Sequence, residues 1–153
     1  MKYLLIIFVM ALAVAPLTHF LPSKRQRQVV RLREYAAVHG LFVEFRDLPG
    51  SREVGQRTGR RAEQVIYYGL RLVPSRNKPR GQRTWLRNAD GWRGFEHREV
   101  LNPRMQGVPE AVSAIGFGEA SCGIYWLEAG TEEDVEAIRV ALNNWAQELK
   151  LAS

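Results

Sequence analysis

The chain predicts an α+β domain, an antiparallel sheet of four or five strands packed by a C-terminal helix, set behind an N-terminal transmembrane helix and a basic juxtamembrane helix. Three observations lead there. Tyr3 to Leu21 (YLLIIFVMALAVAPLTHFL) is an apolar run with no Asp, Glu, Lys or Arg. Five short runs rich in β-branched and aromatic residues follow, separated by turn residues. The carboxy-terminal stretch then repeats apolar residues at helical spacing. The segments divide as a transmembrane anchor over 1–22, the juxtamembrane helix over 23–40 and the α+β domain over 41–153.

The nineteen residues from Tyr3 to Leu21 make a helix of roughly 28 Å, close to the thickness of a bilayer's hydrocarbon core. The competing reading is a secretory signal peptide: Lys2 gives a positive start, and Ala11-Leu12-Ala13 and Ala13-Val14-Ala15 are small-x-small triplets. Cleavage after Ala15 would leave Pro16 first, a residue with no backbone N–H for a protease cleft. The apolar run also continues past both triplets, so the uncleaved anchor is preferred. Lys24, Arg25, Arg27, Arg31 and Arg33 follow the run closely, with only Glu34 opposing them. The positive-inside rule then places the domain in the cytoplasm, with those five residues against an anionic leaflet. The alternative compartment is the periplasm.

Ser23 is an N-cap with Gln26 as its capping-box partner, and a helix runs from Lys24 to His39 with Val29, Leu32 and Ala36 as its apolar stripe. Gly40 is the stop. Leu41 to Arg46 reads as a strand with Leu41, Val43 and Phe45 on one face, and Asp47 to Ser51 as a turn. Residues 52 to 64 are polar and read as a loop; Glu63 to Val73 is the clearest strand, and Pro74 to Gln82 a basic loop. Thr84 to Arg87 and Trp92 to Glu96 flank Asn88-Ala89-Asp90-Gly91, a hairpin signal. Residues 97 to 108 are irregular, and Pro109 to Ile115 reads as a short helix ended by Gly116. Cys122 to Glu128 is the last strand. Thr131 and Asp134 then cap a helix whose Val135, Ile138, Leu142, Trp145 and Leu149 step by three, four, three and four. That spacing serves core packing or a pairing helix, and packing is preferred.

Net charge is +6, but residues 109–153 carry −6 and residues 1–108 therefore +12. A basic front and an acidic back suit a domain apposed to a membrane. Cys122 is the single cysteine, so no intrachain disulfide forms, and its strand-like setting reads as a buried, inert thiol. His19, His39 and His97 are scattered, and no metal ligand set emerges. Gly55 to Arg61 lacks the Gly-Lys-Ser/Thr ending of a phosphate loop, and Gly116-Phe117-Gly118 lacks the third glycine of a dinucleotide fingerprint. No nucleophile elbow or carboxylate pair stands out, so no catalytic residue and no cofactor is assigned. One alternative surface does emerge: Arg83, Trp85, Arg87, Trp92 and Arg93 interleave cations and rings as single-strand nucleic-acid platforms do. Packed tryptophans among solvated arginines explain the same pattern, and a nearby membrane explains the charge; that reading is preferred. Oligomeric state is not legible.

An apolar anchor running into Leu21-Pro22-Ser23-Lys24-Arg25-Gln26-Arg27 resembles the start of the YajC family, the small accessory subunit of the bacterial preprotein translocase. The likeness covers roughly residues 4 to 40, about a quarter of the chain. That family's glycine-rich β segment has no counterpart here, since Leu41 to Arg46 runs into Pro49-Gly50. The whole chain also resembles small single-pass inner-membrane proteins of proteobacteria. The resemblance implies one span, a cytoplasmic domain, and the lipid bilayer and a membrane protein as partners. The expected function is thus a membrane-anchored, non-catalytic accessory or scaffold protein. The alternatives are a periplasmic protein released by cleavage and a tethered nucleic-acid-binding domain.

Overall fold

The structure, a computed structural model, describes residues 2–14, 22–49, 64–73, 83–89, 91–95 and 107–151. The chain forms two compact units, Met1–Val30 and Arg31–Ser153.

In the first unit, α1 spans Lys2–Val14. Its large side chains Tyr3 to Met10 are all exposed, between 56% and 82%. Residues 15–21, where the expected span continues, lie outside the described residues. Among the described residues no helix is long and apolar enough to cross a membrane. The helix α2 (Lys24–Val38) begins as its sequence requires. The Ser23 Oγ accepts from the Gln26 amide at 3.2 Å, and the Ser23 amide donates to Gln26 Oε1 at 2.8 Å. Two first-turn donors are thereby satisfied reciprocally.

In the second unit, α2 ends in a Schellman turn. Gly40 adopts φ +82°, the Leu41 amide donates to the Ala36 carbonyl and the Gly40 amide to that of Ala37. Among the described residues six strands follow: β1 (Phe42–Asp47), β2 (Gln64–Arg71), β3 (Arg83–Asn88), β4 (Gly91–Gly94), β5 (Val112–Phe117) and β6 (Ser121–Trp126). They form one sheet in the order β1-β2-β6-β5-β3-β4, every neighbouring pair antiparallel. The final helix, α3, spans Glu132–Leu151.

The expected α+β architecture is present, with two corrections. The sheet has six strands, and the sixth is β5, built from residues read in sequence as a short helix. Pro109 does start a turn, but only one, closed by the Val112 amide on the Pro109 carbonyl. A helix this short is poorly stable alone, whereas an extended Val112–Phe117 finds ladder partners on both sides, in β3 and β6. The hairpin forms as expected, with Asn88 paired to Gly91 and Gly91 at φ +113°. Residues 52–63, 74–82 and 97–106, read as loops, lie outside the described residues.

Alternation along each strand sorts the sheet into two faces. Ile66, Tyr68, Cys122, Ile124 and Trp126 point to the helical side and are buried with Leu32 and Ala36 of α2 and Val135, Ile138, Leu142 and Trp145 of α3. The α3 stripe thus packs on the sheet, as its spacing predicts; the side chain of Leu149 lies outside the described residues. On the opposite face Val65, Tyr67, Ala114 and Tyr125 form a smaller cluster with Phe42 and Leu86. Gly69 and Gly123 face each other there, and a Cβ on either would collide with the Tyr67 ring. Their lack of a side chain is what lets that ring lie down on the sheet.

Candidate functional site

The sequence points to the basic helix α2. Lys24, Arg25 and Arg27, in the first unit, are exposed. The Arg27 Nε also donates to the Pro22 carbonyl at 3.1 Å, closing the turn before the helix. Arg31, in the second unit, is exposed as well. These four side chains present charge to whatever adjoins the helix.

Arg33 has a different role. It follows Leu32, which is buried in the core, and so flanks the packed stripe. Its Nε donates to Glu128 Oε1 at 2.7 Å and its terminal nitrogen to Glu128 Oε2 at 2.6 Å, a bidentate pair. The Tyr68 hydroxyl donates to the same Oε1 at 2.9 Å. The guanidinium also lies 5.1 Å from the centre of the Phe45 ring. The bidentate bond to Glu128 holds Arg33 protonated above the ordinary guanidinium range. Burial, with the adjacent carboxylate, pushes the Tyr68 phenol well above its usual value.

Glu128 is itself unusual. It is buried and sits at φ +52°, a left-handed conformation that L side chains rarely adopt. That backbone costs about 1–2 kcal/mol, and an isolated buried carboxylate would cost several more. Both of its oxygens are engaged, so the carboxylate is stable only while Arg33 and Tyr68 stay in place. The arrangement is a clamp between α2 and the end of β6. Sequence reasoning missed it, because a pairing 95 residues apart leaves no local pattern. The available signal was a carboxylate lying between an apolar strand and the cap of α3.

A second tie joins the two helices. The Tyr35 hydroxyl donates to Glu136 Oε2 at 3.2 Å, and Arg139 binds the same carboxylate through Nε at 2.8 Å and a terminal nitrogen at 2.6 Å. Arg139 is the main cause of a Glu136 carboxyl held down to about 2.

Of the residues of the alternative nucleic-acid surface, Arg83, Trp85, Arg87 and Trp92 fall on the helical face of the sheet and Arg93 on the opposite one. Arg83 is exposed at the start of β3. Trp85 is half-buried, edge-on to Phe117 at 5.3 Å. Trp92 packs against the helical-side core with the Arg87 guanidinium 4.8 Å from its ring centre. Arg87 donates to the Pro109 carbonyl at 2.7 Å. Arg93 pairs with Leu86, which belongs to the cluster on the opposite face, so it does not share a surface with Trp92.

An open groove of about 710 Å³ runs beside the end of α2, lined by Arg33 and Arg71 together with Leu41, Val43 and Leu70. No carboxylate, thiol or imidazole lines it among the described residues. Cys122 is fully buried, with its Sγ 3.8 Å from the Leu142 carbonyl. Among the described residues no three His, Cys, Asp or Glu side chains converge as metal ligands. Comparison with family models, with curated proteins and with solved structures gives no match for this chain.

Proposed function

We propose that this chain is a single-pass, membrane-anchored, non-catalytic accessory or scaffold protein of an inner-membrane complex. The observation that carries the reading is α1. Eight consecutive large apolar or aromatic side chains, Tyr3 to Met10, surround the helix on every side and are all exposed. A helix that is apolar all round belongs inside something apolar. Leaving these residues in water would cost on the order of 10 kcal/mol. A bilayer removes that cost if the helix continues along the charge-free run to Leu21.

Lys24, Arg25, Arg27 and Arg31 then meet the anionic headgroups, each adding about 1 kcal/mol at low salt. Their excess on this flank puts the domain on the cytoplasmic side. Arg33 commits its Nε and one terminal nitrogen to Glu128, which leaves it less free for headgroups than the other four. The domain's role is to present a rigid surface, and a preprotein translocase is the membrane partner that the amino-terminal likeness suggests.

Carboxy-terminal fusions test the placement. A green fluorescent protein fusion should fluoresce and an alkaline phosphatase fusion should be inactive; the reverse pattern would establish the periplasmic alternative. Copurification with translocon subunits from mild detergent tests the partner, and their repeated absence would remove it.

A further inference from the structure

Beyond the anchor, the geometry points to β1 as a self-complementary edge through which two copies of this chain pair, antiparallel and about a two-fold axis at Phe45.

The sheet ends at β1, whose side away from β2 meets no other strand among the described residues. The opposite end is β4, only four residues long and bounded by glycines. The six residues of β1 therefore present the longer row of backbone donors and acceptors, the kind of edge that recruits another strand.

The side chains say which strand it recruits. Phe45 points to the helical side, where the Arg33 guanidinium of α2 lies 5.1 Å from its ring centre, yet it remains 73% exposed, so most of the ring is left free at the edge. Glu44 and Arg46 flank it on the other face, both solvent-accessible and joined to each other at 2.7 Å. Charged residues usually protect an edge from pairing. Here the two charges are opposite and placed symmetrically about Phe45. Turning a second copy about Phe45 sets ring against ring on the helical side. On the other side it sets each Glu44 against the Arg46 of the other copy. Centring the axis on Glu44 or on Arg46 would put like charges directly opposite, so one register is favoured over its neighbours. The axis also leaves the helical layers of both copies on the same face of a continuous sheet.

The test uses the full chain in mild detergent, with mass read by light scattering. Wild type should be a dimer, and Phe45→Asp should weaken it about tenfold or more. Phe45→Cys should cross-link between copies under mild oxidation, whereas Val38→Cys, 77% exposed on α2, should not. The decisive arm is charge mixing. Glu44→Arg alone and Arg46→Glu alone should each be monomeric, because each sets like charges across the axis. An equimolar mixture of the two variants should form heterodimers, since one supplies two arginines and the other two glutamates. The ion pair within one strand cannot produce that rescue. A monomeric wild type overturns the proposal, as does a dimer indifferent to every β1 substitution, which would be held elsewhere, for example by α1.

Discussion

The helices α1 and α3 are both rich in apolar residues, and the structure treats them oppositely. In α3 the apolar residues recur every three or four positions, and Val135, Ile138, Leu142 and Trp145 are buried against the sheet while Glu133, Asn144 and Glu148 stay outside. In α1 they are consecutive, and every one from Tyr3 to Met10 is exposed. Composition alone does not separate the two; arrangement does. A periodic helix finds its apolar environment within its own chain, whereas a uniformly apolar one must find it elsewhere. The same contrast holds for charge. Arg31 is exposed on α2 while Arg33, two residues on, is fixed by a buried carboxylate.

Substitutions can break this contrast from either side. The largest expected effect lies in α1: the double change Ile6→Asp and Phe8→Asp sets two charges within the span, each costing up to about 3 kcal/mol, the value reached at a bilayer centre. Alkaline extraction should move that variant from the membrane pellet to the supernatant while the domain's unfolding curve is unchanged. The converse is Leu142→Ala in α3, which should lower domain stability by about 3 kcal/mol in urea titration, followed by tryptophan fluorescence, and leave membrane retention intact. Equal effects of both changes on both readouts would contradict the contrast.

The clamp ranks next. Removing one partner, as in Glu128→Gln, should cost about 2 kcal/mol, less than for a fully buried pair because Arg33 is only half-buried. Replacing both, Arg33→Met with Glu128→Leu, should recover part of that loss in the same titration. The smallest effect concerns pH. Glu136 has its carboxyl lowered from 4.5 to about 2 in the folded chain. Its contribution is therefore complete above pH 4.5 and fades as pH falls toward about 2. Glu136→Gln should flatten the acid limb of the stability profile in that window by lowering the neutral plateau slightly, with little change near pH 2.

Local chemistry made much of the fold readable in advance. The capping box at Ser23 and Gln26, the stop at Gly40 and the Asn88–Gly91 hairpin all rest on residues within a few positions of one another, and each appears as its sequence implies. At the start of α3 the Thr131 amide donates to Asp134 at 2.8 Å, as the expected cap requires. The strand β5 was not readable, because its six residues are extended only by virtue of β3 and β6 on either side. The Arg33–Glu128 clamp was hidden for the same reason: it joins residues 95 positions apart, and nothing near Arg33 distinguishes it from its exposed basic neighbours on α2. What tertiary partners decide, local pattern does not announce.

The most direct test of the central claim is alkaline extraction of membranes containing the full chain, followed by an intact-mass measurement of the species recovered. Membrane retention at the full-length mass is the predicted result. A soluble chain whose mass places its first residue near Val14 or Pro16 would contradict it.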